Sequence, residues 1–350
     1  MSEKEKSHKN YLSGELLAAL FKNGLSGELY AALFQLWGGL NEFEKKFRSL
    51  FGEIADLKIL SGESPVFDAI GEQNNIIFLS DHNNKKEPSY LRDLVEALMK
   101  GNENNKVILL LELESDFDLN EVIKLANEDT NLFKQFAGFP EILADQYKTV
   151  GKLKEKYGER FEVILIDIPS FERFKKTKEL LELACIELDS ELAKRIDVSE
   201  EEFERMDTKQ KIEMRVTCKL IHRMITNKLF EKIESVKNSE NIRDEDKKYI
   251  ERILQYYDRS DLSRNIKIVE NVEKIYNDYK DKDGYNIIFY GGGFHGLEIL
   301  KELKEVKIPP SQKITVYTPA RNTVFEYTML DLPTSKERAK TNALENARRR

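Results

Sequence analysis

Short, nearly continuous runs of Val, Ile, Leu and Phe, separated by helical stretches, are what most constrain this chain. Five occur: Asn75–Ser80, Lys106–Glu114, Phe161–Ile168, Tyr285–Tyr290 and Ile314–Tyr317. An antiparallel strand with one wet face alternates apolar and polar residues, whereas a strand buried on both faces is apolar throughout. Runs of the second kind alternating with helices predict an α/β fold. The expectation is a mainly parallel sheet of about five strands, with helices on both faces.

Two regions fall outside this alternation. Leu12-Ser-Gly-Glu-Leu-Leu-Ala-Ala-Leu-Phe21 recurs as Leu25-Ser-Gly-Glu-Leu-Tyr-Ala-Ala-Leu-Phe34, and Leu60-Ser-Gly-Glu63 repeats its head. Ser13 and Ser26 suit helix N-caps, and Asn23-Gly24 suits a stop between them. Phe43, Phe47 and Phe51 share one face of a further helix. Residues 1–64 therefore read as an N-terminal helical region opening in a helical hairpin, a candidate surface for contact with a protein or a membrane. Between 170 and 280 the strand signal vanishes and helical periodicity replaces it, with Ser199 and Glu202 spaced as a capping box and Asp207 as another cap. This stretch reads as an insertion of three long helices within an α/β domain spanning 65–332. His222, among apolar neighbours, reads as a structural histidine. Residues 333–350 form a polar tail ending in three arginines, expected to fray.

Composition narrows the function classes. A net charge of -7 leaves no broad basic surface for phosphates, so nucleic acid is not an expected partner. Cys185 and Cys218 show no metal spacing and no disulfide framework. No apolar run approaches the ~20 residues that span a bilayer, and the first residues do not read as a signal peptide. These features predict a cytoplasmic protein without a transmembrane segment; delivery as an effector by a specialised secretion system would leave no such mark.

The chemistry gathers at strand ends. Tyr285–Tyr290 leads into Gly291-Gly292-Gly293-Phe294-His295, a glycine turn whose amides can approach a bound group, followed by a helix expected to open near Leu297. His82 follows the first strand, and Glu112 and Glu114 end the second, where buried carboxylates need partners. Arg264 is expected to precede the last long helix. Parallel strands aim their carboxyl ends at one crevice, so His82, Glu112 and His295 are expected to converge there. Gly291, Gly293 and Gly296 also satisfy G-x-G-x-x-G, a weak nucleotide-binding signal without the acidic residue expected after the next strand.

The order strand–His, strand–Glu, helical insertion, Arg264-Asn265, then Gly292-Gly-Phe-His295 resembles the superfamily of erythromycin esterases, Tiki/TraB-type proteins and ChaN-like haem-uptake proteins, whose core some bacterial toxin modules share. The resemblance covers roughly Asn75 to Pro319. The family's early strand usually ends G-E-x-H; Leu79-Ser-Asp-His82 keeps the histidine and replaces the glycine and glutamate. The esterase branch implies a hydrolase acting on a small-molecule or peptide substrate. There a histidine, His82 or His295, takes a proton from water, Arg264 and the Gly291–Gly293 amides hold negative charge, and Glu112 orients a histidine. The Tiki branch implies instead a divalent metal held by His82, His295 and Glu112. The altered first motif leaves open a non-catalytic interaction, toxin or effector module on the same scaffold.

Overall fold

A computed structural model describes residues 58–61, 74–80, 85–100, 103–129, 140–237, 244–279, 284–292 and 313–318, with a few isolated positions besides. They form an α/β fold, a parallel sheet set among helices. The strands are β1 (Lys58–Ser61), β2 (Asn74–Ser80), β3 (Lys106–Glu114), β4 (Phe161–Asp167), β5 (Tyr285–Gly292) and β6 (Lys313–Thr318). All five pairings are parallel, in the order β1-β6-β2-β5-β3-β4. The sheet thus has six strands rather than about five. The added one, β1, lies inside the stretch read as N-terminal helical region; four residues are too few to show a period. The repeat and hairpin at 12–34, and the Phe43–Phe51 face, lie outside the described residues.

Every residue of β3 from Val107 to Leu111 is buried. Val107, Leu109, Leu111 and Leu113 face one layer of helices, α1 (Glu87–Met99), α2 (Leu119–Glu128) and α3 (Pro140–Tyr157), through Leu91, Leu94, Val122, Val150 and Leu153. Pro88 and Glu87 suit the first turn of α1, where N–H groups have no helical partner. Asp118 caps α2, accepting from Asn120 N and Glu121 N. Ile108 and Leu110 point the other way and are fully buried.

Between β4 and β5 run five helices among the described residues: α4 (Ser170–Ala184), α5 (Ser190–Ile196), α6 (Glu200–Glu204), α7 (Thr208–Lys237) and α8 (Asp244–Tyr279). The Ser199–Glu202 capping box opens α6, and Asp207 accepts from Gln210 N ahead of α7. Phe174, Leu180, Cys218, Ile221, Ile225 and Ile253 give α4, α7 and α8 a core of their own. His222 holds it together, within 3.1 Å of Thr177 Oγ1 on α4 and 3.4 Å of Tyr257 OH on α8.

Arg264 does not precede a helix, as the sequence suggested; it lies inside α8, a single 36-residue helix. Ser263, just before it, donates its hydroxyl to Ser260 O one turn back within the same helix. No Gly or Pro interrupts the segment. Beyond Arg264 the helix runs back along β4, where Asn271 donates to Ile166 O and Tyr279 to Glu162. The tail is not simply frayed. Residues 336, 337 and 339–341 are helical, and Lys336 pairs with Glu273 of α8 at 2.9 Å. Among the described residues no helix is long and apolar enough to cross a membrane.

Candidate functional site

The carboxyl rim of the sheet carries a cluster of alternating charges. β3 contributes Glu112 and Glu114, and β4 ends in Asp167. The β3–β4 register shifts between Leu111 and Glu114, a bulge that sets Glu114 opposite Asp167. An extra residue of this kind re-aims the side chains that follow it, often at a functional edge. The cations come one from each of the three long inserted helices: Arg173 from α4, Arg215 from α7 and Arg264 from α8.

Arg264 grips Asp167 with two bonds, Nε to Oδ1 at 2.8 Å and Nη2 to Oδ2 at 2.6 Å, and reaches Glu112 Oε1 at 2.7 Å. Arg173 Nη2 donates to Asp167 Oδ2 at 2.7 Å. Its Nε lies 3.0 Å from Glu114 Oε1, an ion-pair distance without hydrogen-bond alignment. Arg215 donates to Glu114 Oε2. Asp167 and Glu114 are buried at 1% and 0% exposure, so three guanidiniums against three carboxylates are what keep the rim near neutral. Burial alone would raise the Asp167 pKa; the Arg264 and Arg173 charges outweigh it and hold the carboxyl well below the usual range. Burial also pushes the Tyr147 phenol upward beside this cluster.

Glu112 extends the cluster to β5. Its Oε2 accepts from Gly292 N at 2.7 Å. Gly291 and Gly292 are the last residues of β5 rather than part of a turn. Nor do they use glycine's freedom of φ: among the described residues only Gly158 and Gly284 are glycines at positive φ. Gly291 is required by proximity, since a Cβ there would sit 2.8 Å from Glu112 Oε2 and 2.8 Å from Phe289 Cζ. The Gly292 amide, expected to face a ligand, is committed to Glu112. Glu112 likewise accepts a hydrogen bond at each oxygen, from Arg264 and from the Gly292 amide. Among the described residues no three His, Cys, Asp or Glu side chains are grouped to hold a metal ion.

A second buried node lies beside the first. Glu87, 0% exposed, accepts at Oε1 from Tyr290 OH at 2.7 Å and from Gln146 Nε2 at 3.0 Å. Tyr290 packs edge-on against Phe78 of β2 with ring centroids 4.9 Å apart. On the rim's other flank Asp116 receives Ser170 N and Oγ at 2.8 and 2.5 Å and Lys211 Nζ at 3.1 Å, anchoring the start of α4. Burial would raise the Asp116 carboxyl, but the Ser170 bonds and Lys211 together bring it below its ordinary value.

Of the residues singled out from sequence, Glu112, Arg264 and Gly292 are joined directly, with Gly291 in contact. His82, His295 and Gly293 lie outside the described residues. Sequence reading missed Asp167, Arg173, Arg215 and Glu87. Asp167 had one available signal, an acidic residue closing an apolar strand just before Pro169; the two arginines had none, being cations on amphipathic helices. No protein-family model matches this chain, and no curated protein matches it.

Proposed function

We propose that the chain is a hydrolase of the erythromycin-esterase/Tiki type, acting at the carboxyl rim of the sheet on a small-molecule or peptide ester or a related bond. What supports this reading is the strand register. β2 and β5 are neighbours, with Ser80 opposite Gly292. In the sequence His82 follows Ser80 by two residues, and His295 follows Gly292 by three. A chain covers at most ~3.6 Å per residue, so a site at this rim, next to the charged cluster, is within reach of both histidines.

In this reading one histidine is the general base that takes a proton from the attacking water, help typically worth about 10²–10⁴-fold. Arg264 and Glu112 then act as positioning residues. Arg264 orients Glu112, which holds the Gly292 amide and so fixes where the chain leaves β5 towards His295. A screen of ester and peptide substrates should find turnover that His295→Ala abolishes and Arg264→Gln reduces. Turnover unchanged by His295→Ala would sink the assignment.

One observation favours a second reading, a non-catalytic interaction, toxin or effector module. Arg264 and the Gly292 amide are already satisfied by carboxylates, so neither stands ready for an oxyanion. This reading expects no turnover in the same screen. It also expects partner binding that survives His82→Ala and His295→Ala but weakens when residues 11–52 are deleted. A nucleotide at the glycines is the third reading, and it has to displace the Glu112 carboxylate from Gly292.

A further inference from the structure

Four cations recur at every fourth position on α7: Lys211, Arg215, Lys219 and Arg223. Residues so spaced form a row on one side of a helix, each about 6 Å further along the axis. The first two rungs are neutralised by carboxylates from the end of β3 and the loop after it, Lys211 by Asp116 at 3.1 Å and Arg215 by Glu114. The next two are not. Among the described residues neither Lys219 nor Arg223 makes a hydrogen bond or an ion pair.

An unpartnered pair on an exposed face would be ordinary. Lys219, however, is half-buried and sits between two like charges, which is costly for an ammonium. Burial and the neighbouring Arg215 and Arg223 charges push its pKa down to about 8. Other half-buried lysines of the bundle have partners: Lys228 holds the Ala184 and Cys185 carbonyls, Lys232 holds Asp246, and Lys178 lies over the Phe174 ring. Two adjacent uncompensated cations match one dianionic group.

We propose that Lys219 and Arg223 form a binding site for a phosphate dianion, presented to the protein as a phosphomonoester or as inorganic phosphate. Arg215 supports the site by its charge while remaining bound to Glu114. The proposal is independent of the hydrolase reading, since it uses none of the histidines.

Inorganic phosphate is the probe, with chloride at equal ionic strength as control, and the whole chain is used. Lysines are labelled with a small acylating reagent near pH 8 and read residue by residue by mass spectrometry. In chloride, Lys219 should react faster than exposed lysines, because about half of it is uncharged against under ~1% for an ordinary lysine. Phosphate should slow that one residue by about tenfold or more by restoring its proton. Arg223→Gln, a change at an exposed position, should leave the fold intact by circular dichroism while removing most of the protection. Equal labelling in phosphate and chloride would overturn the proposal, and so would protection unaltered in Arg223→Gln. Lys219→Met should separately erase any rise in melting temperature that phosphate gives over chloride; a rise that persists in this variant counts against the site.

Discussion

Replacing Arg264 with leucine tests the rim directly. The substitution removes both bonds to Asp167 and the bond to Glu112 while keeping a helix-forming side chain in α8. Breaking a buried ion pair from one side costs about 3–5 kcal/mol, because a charge is left behind without its partner. Here Asp167 keeps Arg173 at 2.7 Å and Glu112 keeps the Gly292 amide. The loss should therefore sit at the low end, about 3 kcal/mol at pH 7. Its pH dependence has a definite sign. The folded Asp167 pKa is depressed, so its stabilisation is full above the unfolded carboxylate pKa of ~3.9 and drains as pH falls towards the folded value. Without Arg264 that carboxyl can take a proton at higher pH, and the variant's deficit should shrink by about 1 kcal/mol or more between pH 7 and pH 4. Urea unfolding of both proteins across that range measures it. A deficit under about 1 kcal/mol at pH 7, or one that stays constant with pH, would refute the account of the rim as a desolvated charge cluster.

Two further substitutions address its neighbours. Gly291→Ala should destabilise by about 1–3 kcal/mol, because the new methyl must displace Glu112 or Phe289, and pairing it with Glu112→Ala should recover much of the loss in denaturant melts. Glu87→Leu leaves Tyr290 OH and Gln146 Nε2 without their acceptor and should cost about 2–4 kcal/mol. Glu87→Gln keeps an acceptor oxygen and should cost less; equal losses for the two would show that the hydrogen bonds there carry little.

The sheet was legible because burial on both faces writes itself into local composition: β2 to β6 each appear as an apolar run. β1 was not, since Lys58–Ser61 is held mainly by its pairing with β6. The inserted helices were legible as helices but not in length. Arg264-Asn265 read as the approach to a new helix, whereas both lie inside one that begins at Asp244. The candidate site was half visible. Glu112 and Arg264 could be named, yet their bond joins positions 152 residues apart, and no local pattern announces such a partner. The same holds for Arg173 and Arg215, whose role depends on which carboxylates the bulge in β3 presents to them.

The unbroken course of α8 has a mechanical consequence. A helix of 36 residues is a stiff rod about 54 Å long. Near its start Asp246 is tied to Lys232 of α7, and near its finish Tyr279 touches Glu162 at the opposite end of β4 from Asp167. Arg264 is fastened to the rim partway between these ends. A torque applied at the outer end therefore cannot be absorbed by a hinge loop, and it arrives at Asp167 and Glu112 as a pull on their shared guanidinium. Whatever leans on the distal helices also tugs the edge where β5 lets go of the sheet.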